Sequence, residues 1–419
     1  MMVLNNGRDA RRGRRALVWF ASGALLASAL AGSAGVASAS GLLTPAVGAA
    51  DIALSGSNIA EPRSASSAQF INPAGLAAFT ETEVLVGPGL AFAGGEVRAD
   101  QPAGYDKTND MVIVLPDFGV VYPTGRWTFG WSMHGSSGSR YDYGAEPSLG
   151  ITDGFFSENS IFAVPLGAAY RVSDQLWVGA EIIPLYSMTH LRYTNPSVPE
   201  IGSEPVPFRF KVSGPGLQAL LGVTWKPDDR WSFGLSYRPP GRIWTDGDMA
   251  LPSGAKQDVA LEIEAPSVAA LGISRRVGER LTLSYGFRWT DSSAFSSAHF
   301  DFKQTPSANG PYIYDAQDEL RNAIGAEFTL TDSWTLRGGV GRGTAIVGNK
   351  GVNPASYDVE DFSFAGGAGY TRGRWTVDGA FVFMLGAERN VPAADALVFP
   401  GSYRAQPAFL LAMTVTRKF

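Results

Sequence analysis

Three histidines, His134, His190 and His299, are the side chains most suited to chemistry in this cysteine-free chain of 419 residues. They are scattered, with no spacing that would set ligands around a metal. His134 lies just before Ser136 and Ser137, and a histidine-activated serine there could hydrolyse a lipid ester. No Gly-x-Ser-x-Gly elbow occurs to present such a nucleophile. The chain therefore reads as a non-enzyme with no cofactor and no metal. Arg171, Arg238, Arg288 and Arg337 make a second set. Each could pair an acidic ligand or a nearby carboxylate such as Glu327 or Asp378. Phe155 and Phe156 could form an apolar capture surface or a loop core. Which role each takes depends on the elements that hold it.

The first 39 residues read as an export signal. Arg8, Arg11, Arg12, Arg14 and Arg15 make a basic start, residues 16–30 an apolar run, and Ala37-Ser38-Ala39 a small-residue cleavage site. The arginine pairs lack a twin-arginine consensus, which points to ordinary secretion. A mature chain is expected to begin near Ser40. Its formal charge moves from −5 for the whole chain to about −9, which disfavours nucleic acid as a partner. Only 17% of residues are charged, against about 25% in ordinary soluble proteins. No segment after the signal is apolar over the length of about 18 residues that a membrane helix needs. Fifty glycines and evenly spread aromatics point to strands instead.

Alternation supplies them. Trp127, Phe129, Trp131 and Met133 interleave with Thr128, Gly130, Ser132 and His134. The same period of two runs through Trp231–Arg238, 281–289 and 375–385, and it gives each strand one apolar face. Fourteen strands are expected, at 83–97, 111–122, 126–134, 159–171, 175–193, 208–226, 230–250, 257–277, 280–303, 318–330, 334–343, 360–371, 374–391 and 402–419. Tight turns such as Pro123-Thr124-Gly125 and Arg372-Gly373 alternate with long polar loops at 135–158, 194–207, 304–317 and 344–359. Aromatics flank five of the six tight turns, for example Tyr122 with Trp127 and Tyr370 with Trp375. Short turns on one side, long loops on the other and a one-sided aromatic ring describe a transmembrane antiparallel β-barrel at residues 81–419. Its two ends fall on the short-turn side. The four arginines then face inward. Gly135 and Gly138, after the third strand, could break pairing there or simply begin a loop.

Residues 40–80 are rich in Ala, Ser and Gly and carry little alternation, so they could fold as a plug inside the lumen. The segment ends on Gln69-Phe70-Ile71-Asn72-Pro73-Ala74-Gly75-Leu76-Ala77. With Ser40-Gly41-Leu42, Leu166–Arg171 and its following Val172, and Gly234-Leu235-Ser236-Tyr237-Arg238-Pro239-Pro240, it resembles the FadL-type outer-membrane transporters of hydrophobic compounds. The resemblance covers the mature chain, and Asn72, Pro73, Ala74 and Gly75 match the family's hatch motif. It implies a monomeric, all-β barrel closed by an N-terminal hatch and inserted by the barrel-assembly machinery. Its neighbours would be outer-membrane lipid and lipopolysaccharide of a Gram-negative cell. Long-chain fatty acids or hydrocarbons would be captured by loops, held in an apolar pocket and released sideways at a kinked third strand. Ser40, Gly41, Leu42, Phe155, Phe156 and Arg238 are candidate ligand residues on this reading, and Gly135 and Gly138 mark the candidate kink. The loop 194–207 is short beside the helix-bearing loops of that family. A diffusion porin, an adhesive or structural barrel, and a lipid hydrolase are the alternatives.

Overall fold

The computed structural model describes residues 46–100, 103–149, 154–195, 206–250, 256–297, 299–304, 306, 310–311, 315–352, 354, 358–395 and 400–419. The expected signal segment and Ser40, Gly41 and Leu42 lie outside the described residues, as does most of the 194–207 loop. No described helix is long and apolar enough to cross a membrane.

Fourteen antiparallel strands close into a barrel. In chain order they are Glu83–Ala99, Asp106–Thr124, Trp127–Tyr143, Phe155–Ala163 with Leu166–Arg171, Leu176–Asn195, Val206–Trp225, Trp231–Arg238 with Gly241–Ala250, Lys256–Ala265 with Ser267–Val277, Leu281–Asp291, Glu319–Thr329, Trp334–Gly343, Asp361–Arg372, Trp375–Gly386, and Gly401–Ala405 with Ala408–Lys418. The first strand pairs with the last, Glu83 opposite Lys418 and Phe92 opposite Phe409, which abolishes the sheet edge. Both barrel ends meet on the short-turn side, where the Phe419 N–H donates to the Thr82 carbonyl at 2.9 Å.

The alternating apolar face points outward. Phe129, Ile182, Leu221, Leu235, Ile324 and Leu411 are exposed on the outer surface while their neighbours are buried inside, as a lipid-facing wall requires. Beside the short turns the aromatics pack across strands, with Trp127 at 4.7 Å from Tyr170 and Trp334 at 4.8 Å from Tyr370. Arg417 breaks the apolar phase but lays its guanidinium over Trp375 and Phe419, a stem in lipid and a head at the interface. Gly125 and Gly373 take positive φ of 61° in two of these turns, a backbone state that costs other residues.

The largest departures from the expected strand boundaries are in the third and ninth strands. The third strand runs on to Tyr143 because Gly135–Tyr143 finds a partner in Phe155–Ala163, so the expected loop 135–158 shrinks. The ninth strand ends at Asp291, and after a 3-10 turn the piece His299–Phe302 pairs with the eighth strand.

Inside the barrel lie the helices Ala49–Ile52 and Ala65–Ile71 and the 3-10 turn Pro73–Ala78. Ser64 caps the second helix, accepting from the Ser67 N–H at 3.1 Å. Asn72 closes that helix and caps the next turn, its Oδ1 accepting from the Ala74 N–H at 3.2 Å, with Pro73 at the first turn position. Ala49, Ala53, Ala68, Ala74, Leu76 and Ala77 are fully buried.

Candidate functional site

The plug fits because the wall beneath it carries a ring of glycines. An inward glycine lies against it on every strand from the second (Gly119) to the twelfth (Gly367). A Cβ on Gly179 would come 2.4 Å from the Ala74 nitrogen, and one on Gly222 would come 2.2 Å from Asn72 Oδ1. Polar latches complete the fit. Asn72 Nδ2 donates to the Val223 carbonyl at 3.3 Å and to Thr224 Oγ1 at 3.2 Å. Arg63 pairs with Glu327 at 3.0 Å, and Glu61 accepts from Lys226 at 2.9 Å and Ser232 at 2.7 Å. Burial alone would raise the Glu61 carboxyl, but Arg63 and Lys226 outweigh it and hold it at about 2.

Three of the four inward arginines are used up in this scaffold. Arg171 donates to the Ala77 carbonyl at 2.8 Å. Arg337 pairs with Glu327 and Asp378, both at 2.7 Å. Arg288 faces Glu319 at 3.6 Å. Arg238 is half-buried, donates to the Phe70 carbonyl and lies 5.7 Å over the Phe70 ring. Phe70 in turn meets His134 edge-on at 5.4 Å. Glu181 and Arg238 interact electrostatically. Gln69, whose amide donates to the Pro165 carbonyl at 3.2 Å, completes a polar group where the plug meets the wall.

The lumen changes character above that group. Ile183, Leu185, Leu220 and Ile243 form one inward apolar cluster, and Ile113, Val382, Met384 and Leu410 form another against Ile52 and Ala53 of the plug. Beside the later part of the plug many inward residues are small or polar, such as Ser132, Thr224, Ser232 and Ser236.

The wall is interrupted between the second and third strands. The second and third strands pair from Thr124 opposite Trp127 up to Asp117 opposite His134, and there the ladder stops. Above it the second strand stays with the first. The third strand stays with the fourth, after a register shift between Gly135 and Ser137. The bulge inserts an extra residue and bends the strand away. Pro116, opposite Pro88, lacks the N–H that would help to bridge the divide. The gap closes again where Asn109 Oδ1 accepts from the Asp142 N–H at 2.9 Å and Lys107 meets Glu146 at 2.8 Å. From Asn109 to Asp117 this slot spans about 25 Å of strand. Behind it is a cavity lined by Val47, Ala49, Ile52, Leu115, Pro116 and Gly135, with Asp117 at its foot accepting from Ser66 Oγ at 3.1 Å.

Several sequence candidates fall elsewhere. Phe155 and Phe156 do not form an exposed loop surface. Both are buried in the fourth strand, because the third strand continues far enough to pair with them. Phe155 packs at 5.7 Å from Tyr105 in the apolar cap over the long-loop end, and Phe156 is clamped between Arg140 and Arg192, each 5.5 Å from its ring. Gly138 is regularly paired opposite Ser160, whereas Gly135 borders the bulge. No described hydrogen bond joins His134 to Ser136 or Ser137, and His134 Nδ1 has no partner. Asp117, Glu181 and the wall prolines were missed. Prolines inside otherwise regular strand runs were the available signal, since a ladder rarely tolerates them.

Among curated protein sequences none matches the chain. Solved barrels match its fold at low identity. A Pseudomonas aeruginosa FadL homologue superposes with a TM-score of 0.79 at 18% identity, over 90% of this chain and 100% of that one. The P. putida toluene transporter TodX gives 0.69 at 18%, and the Ralstonia pickettii toluene transporter TbuX 0.67 at 20%, each over 90% of this chain and 99% of the other. The model of the outer membrane protein transport protein family (OMPP1/FadL/TodX) matches residues 29–419, and the chain belongs to that family.

Proposed function

We propose that the chain is a passive outer-membrane channel for hydrophobic compounds, whose cargo leaves sideways through the slot between the second and third strands. The observation that carries this reading is the ladder that stops at Asp117 and His134 while both strands keep their other neighbours. The latched plug argues against a straight path down the barrel axis, and the apolar lining above it suits cargo that water and lipopolysaccharide exclude. Burial there is worth about 0.8 kcal/mol per methylene, enough to draw a long chain from dilute solution. Solved barrels of the same fold are toluene transporters, which favours hydrocarbons alongside fatty acids as cargo. Cleavage near Ser40, assembly by the barrel machinery and a monomeric state belong to the same reading.

Deleting Ser136 removes the extra residue of the bulge and allows the upper third strand to straighten toward the second. Uptake of a radiolabelled hydrocarbon by cells expressing the variant is expected to fall severalfold, with heat-modifiable migration on gels retained. Undiminished uptake by a folded variant would overturn lateral release. A diffusion porin predicts high ion conductance in planar bilayers, which a latched plug should prevent.

A further inference from the structure

The polar group at the foot of the apolar lining is not satisfied internally. Gln69, Ser132, His134 and Glu181 are each almost fully buried. Gln69 Oε1, Ser132 Oγ, His134 Nδ1 and both carboxylate oxygens of Glu181 have no hydrogen-bond partner, nor has Arg238 Nε. Gln69 and Glu181 converge on one spot, and Arg238 interacts electrostatically with both Glu181 and His134. Gly130 is opposite Gly167, and Gly167 is opposite Glu181. A Cβ on Gly130 would come 3.0 Å from Gln69 Oε1, and one on Gly167 would come 3.1 Å from Glu181 Oε2 and 3.5 Å from Gln69 Nε2. Glu181 shares its inward face with Ile183 and Leu185, which lead up into the apolar cluster.

Buried polar atoms of this kind are costly unless something pairs with them. We propose that this cluster is a head-group site for an uncharged, hydroxyl-bearing hydrophobe, an alcohol or a phenol, whose apolar body lies along Ile183 and Leu185. The inference rests on the channel reading above and adds a hydroxyl-bearing class to its hydrocarbon and fatty-acid cargo. The unmet atoms are mainly acceptors, so the head must donate. A hydroxyl gives its proton to Glu181 or Gln69 and accepts from Arg238 Nε or Ser132. A carboxylate would bring more acceptors to a site already short of donors. An ammonium would meet the Arg238 guanidinium. A plain alkane would leave every one of these groups unpaired.

The test uses the full chain in mild detergent and equilibrium dialysis of radiolabelled 1-dodecanol, dodecane and dodecanoate, each corrected for protein-free micelles. Wild type is expected to prefer dodecanol over dodecane by about fivefold, the worth of one buried hydrogen bond, and to bind dodecanoate least. Glu181→Leu should erase the preference for the alcohol over dodecane. Glu181→Gln, which keeps the shape and secures the test if the leucine variant misfolds, should raise dodecanoate relative to dodecanol. Equal binding of dodecane and dodecanol refutes the head-group site and leaves the channel reading standing. Binding of none of the three refutes both. A dodecanol-soaked crystal with only ordered water between Gln69 and Glu181 also overturns the proposal.

Discussion

Glu61 should hold the plug down, and its contribution can be worked from its surroundings. Its carboxylate is mostly buried, takes hydrogen bonds from Lys226 and Ser232, and lies 3.5 Å from Arg63 Nη1. A carboxyl held at about 2 in place of the ordinary 4.5 stabilises the docked plug by about 3 kcal/mol, at roughly 1.4 kcal/mol per pKa unit. The folded value is the depressed one, so this stabilisation is complete above pH 4.5 and is lost as pH falls toward 2. Amide hydrogen exchange across residues 57–63, corrected for intrinsic rates, reads the undocked population. Glu61→Gln at neutral pH should speed that exchange by about two orders of magnitude. Wild type should lose the same protection progressively as pH falls from 4.5 to 2. Exchange that responds neither to the substitution nor to acid would show that the latch reasoning is wrong.

Gly222→Val places a Cβ where Asn72 Oδ1 now sits, so the plug should be displaced while the barrel persists. Planar bilayers should then show steady ion conductance where wild type shows almost none. Gln218 donates to the Pro239 carbonyl at 3.0 Å and the Pro266 carbonyl at 2.9 Å, where two neighbouring strands break. Gln218→Leu strands both acceptors and should cost about 1–3 kcal/mol, read as a lowered midpoint of thermal unfolding. Ser64→Ala removes the cap of the Ala65–Ile71 helix and should cost about 1 kcal/mol, seen as faster exchange confined to that helix.

The barrel was legible because its rules are periodic. Trp127, Phe129 and Leu235 announce an outward face, and Gly125 and Gly373 announce turns, each within a few residues of sequence. The plug was legible as composition, since only small side chains pack where Ala49, Ala53 and Ala74 are buried. What escaped depends on partners far away in sequence. Gly135–Tyr143 looks like a loop until Phe155–Ala163 is beside it, and that pairing is also what buries Phe155 and Phe156. The slot is a missing ladder, and no local pattern states which strands will fail to meet. Glu181 reads as a routine inward residue until Gln69 and His134 are brought over from the plug and the third strand.

The glycines beneath the plug also bear on how the molecule is made. Gly119, Gly179, Gly234, Gly325 and Gly367 touch it from around the circumference, leaving clearance for backbone and nothing more. The plug should dock most easily before the wall is joined at Glu83 and Lys418, while the strands can still spread around it. A methyl group at Gly179 would meet the Ala74 nitrogen and hold the wall off before it could close.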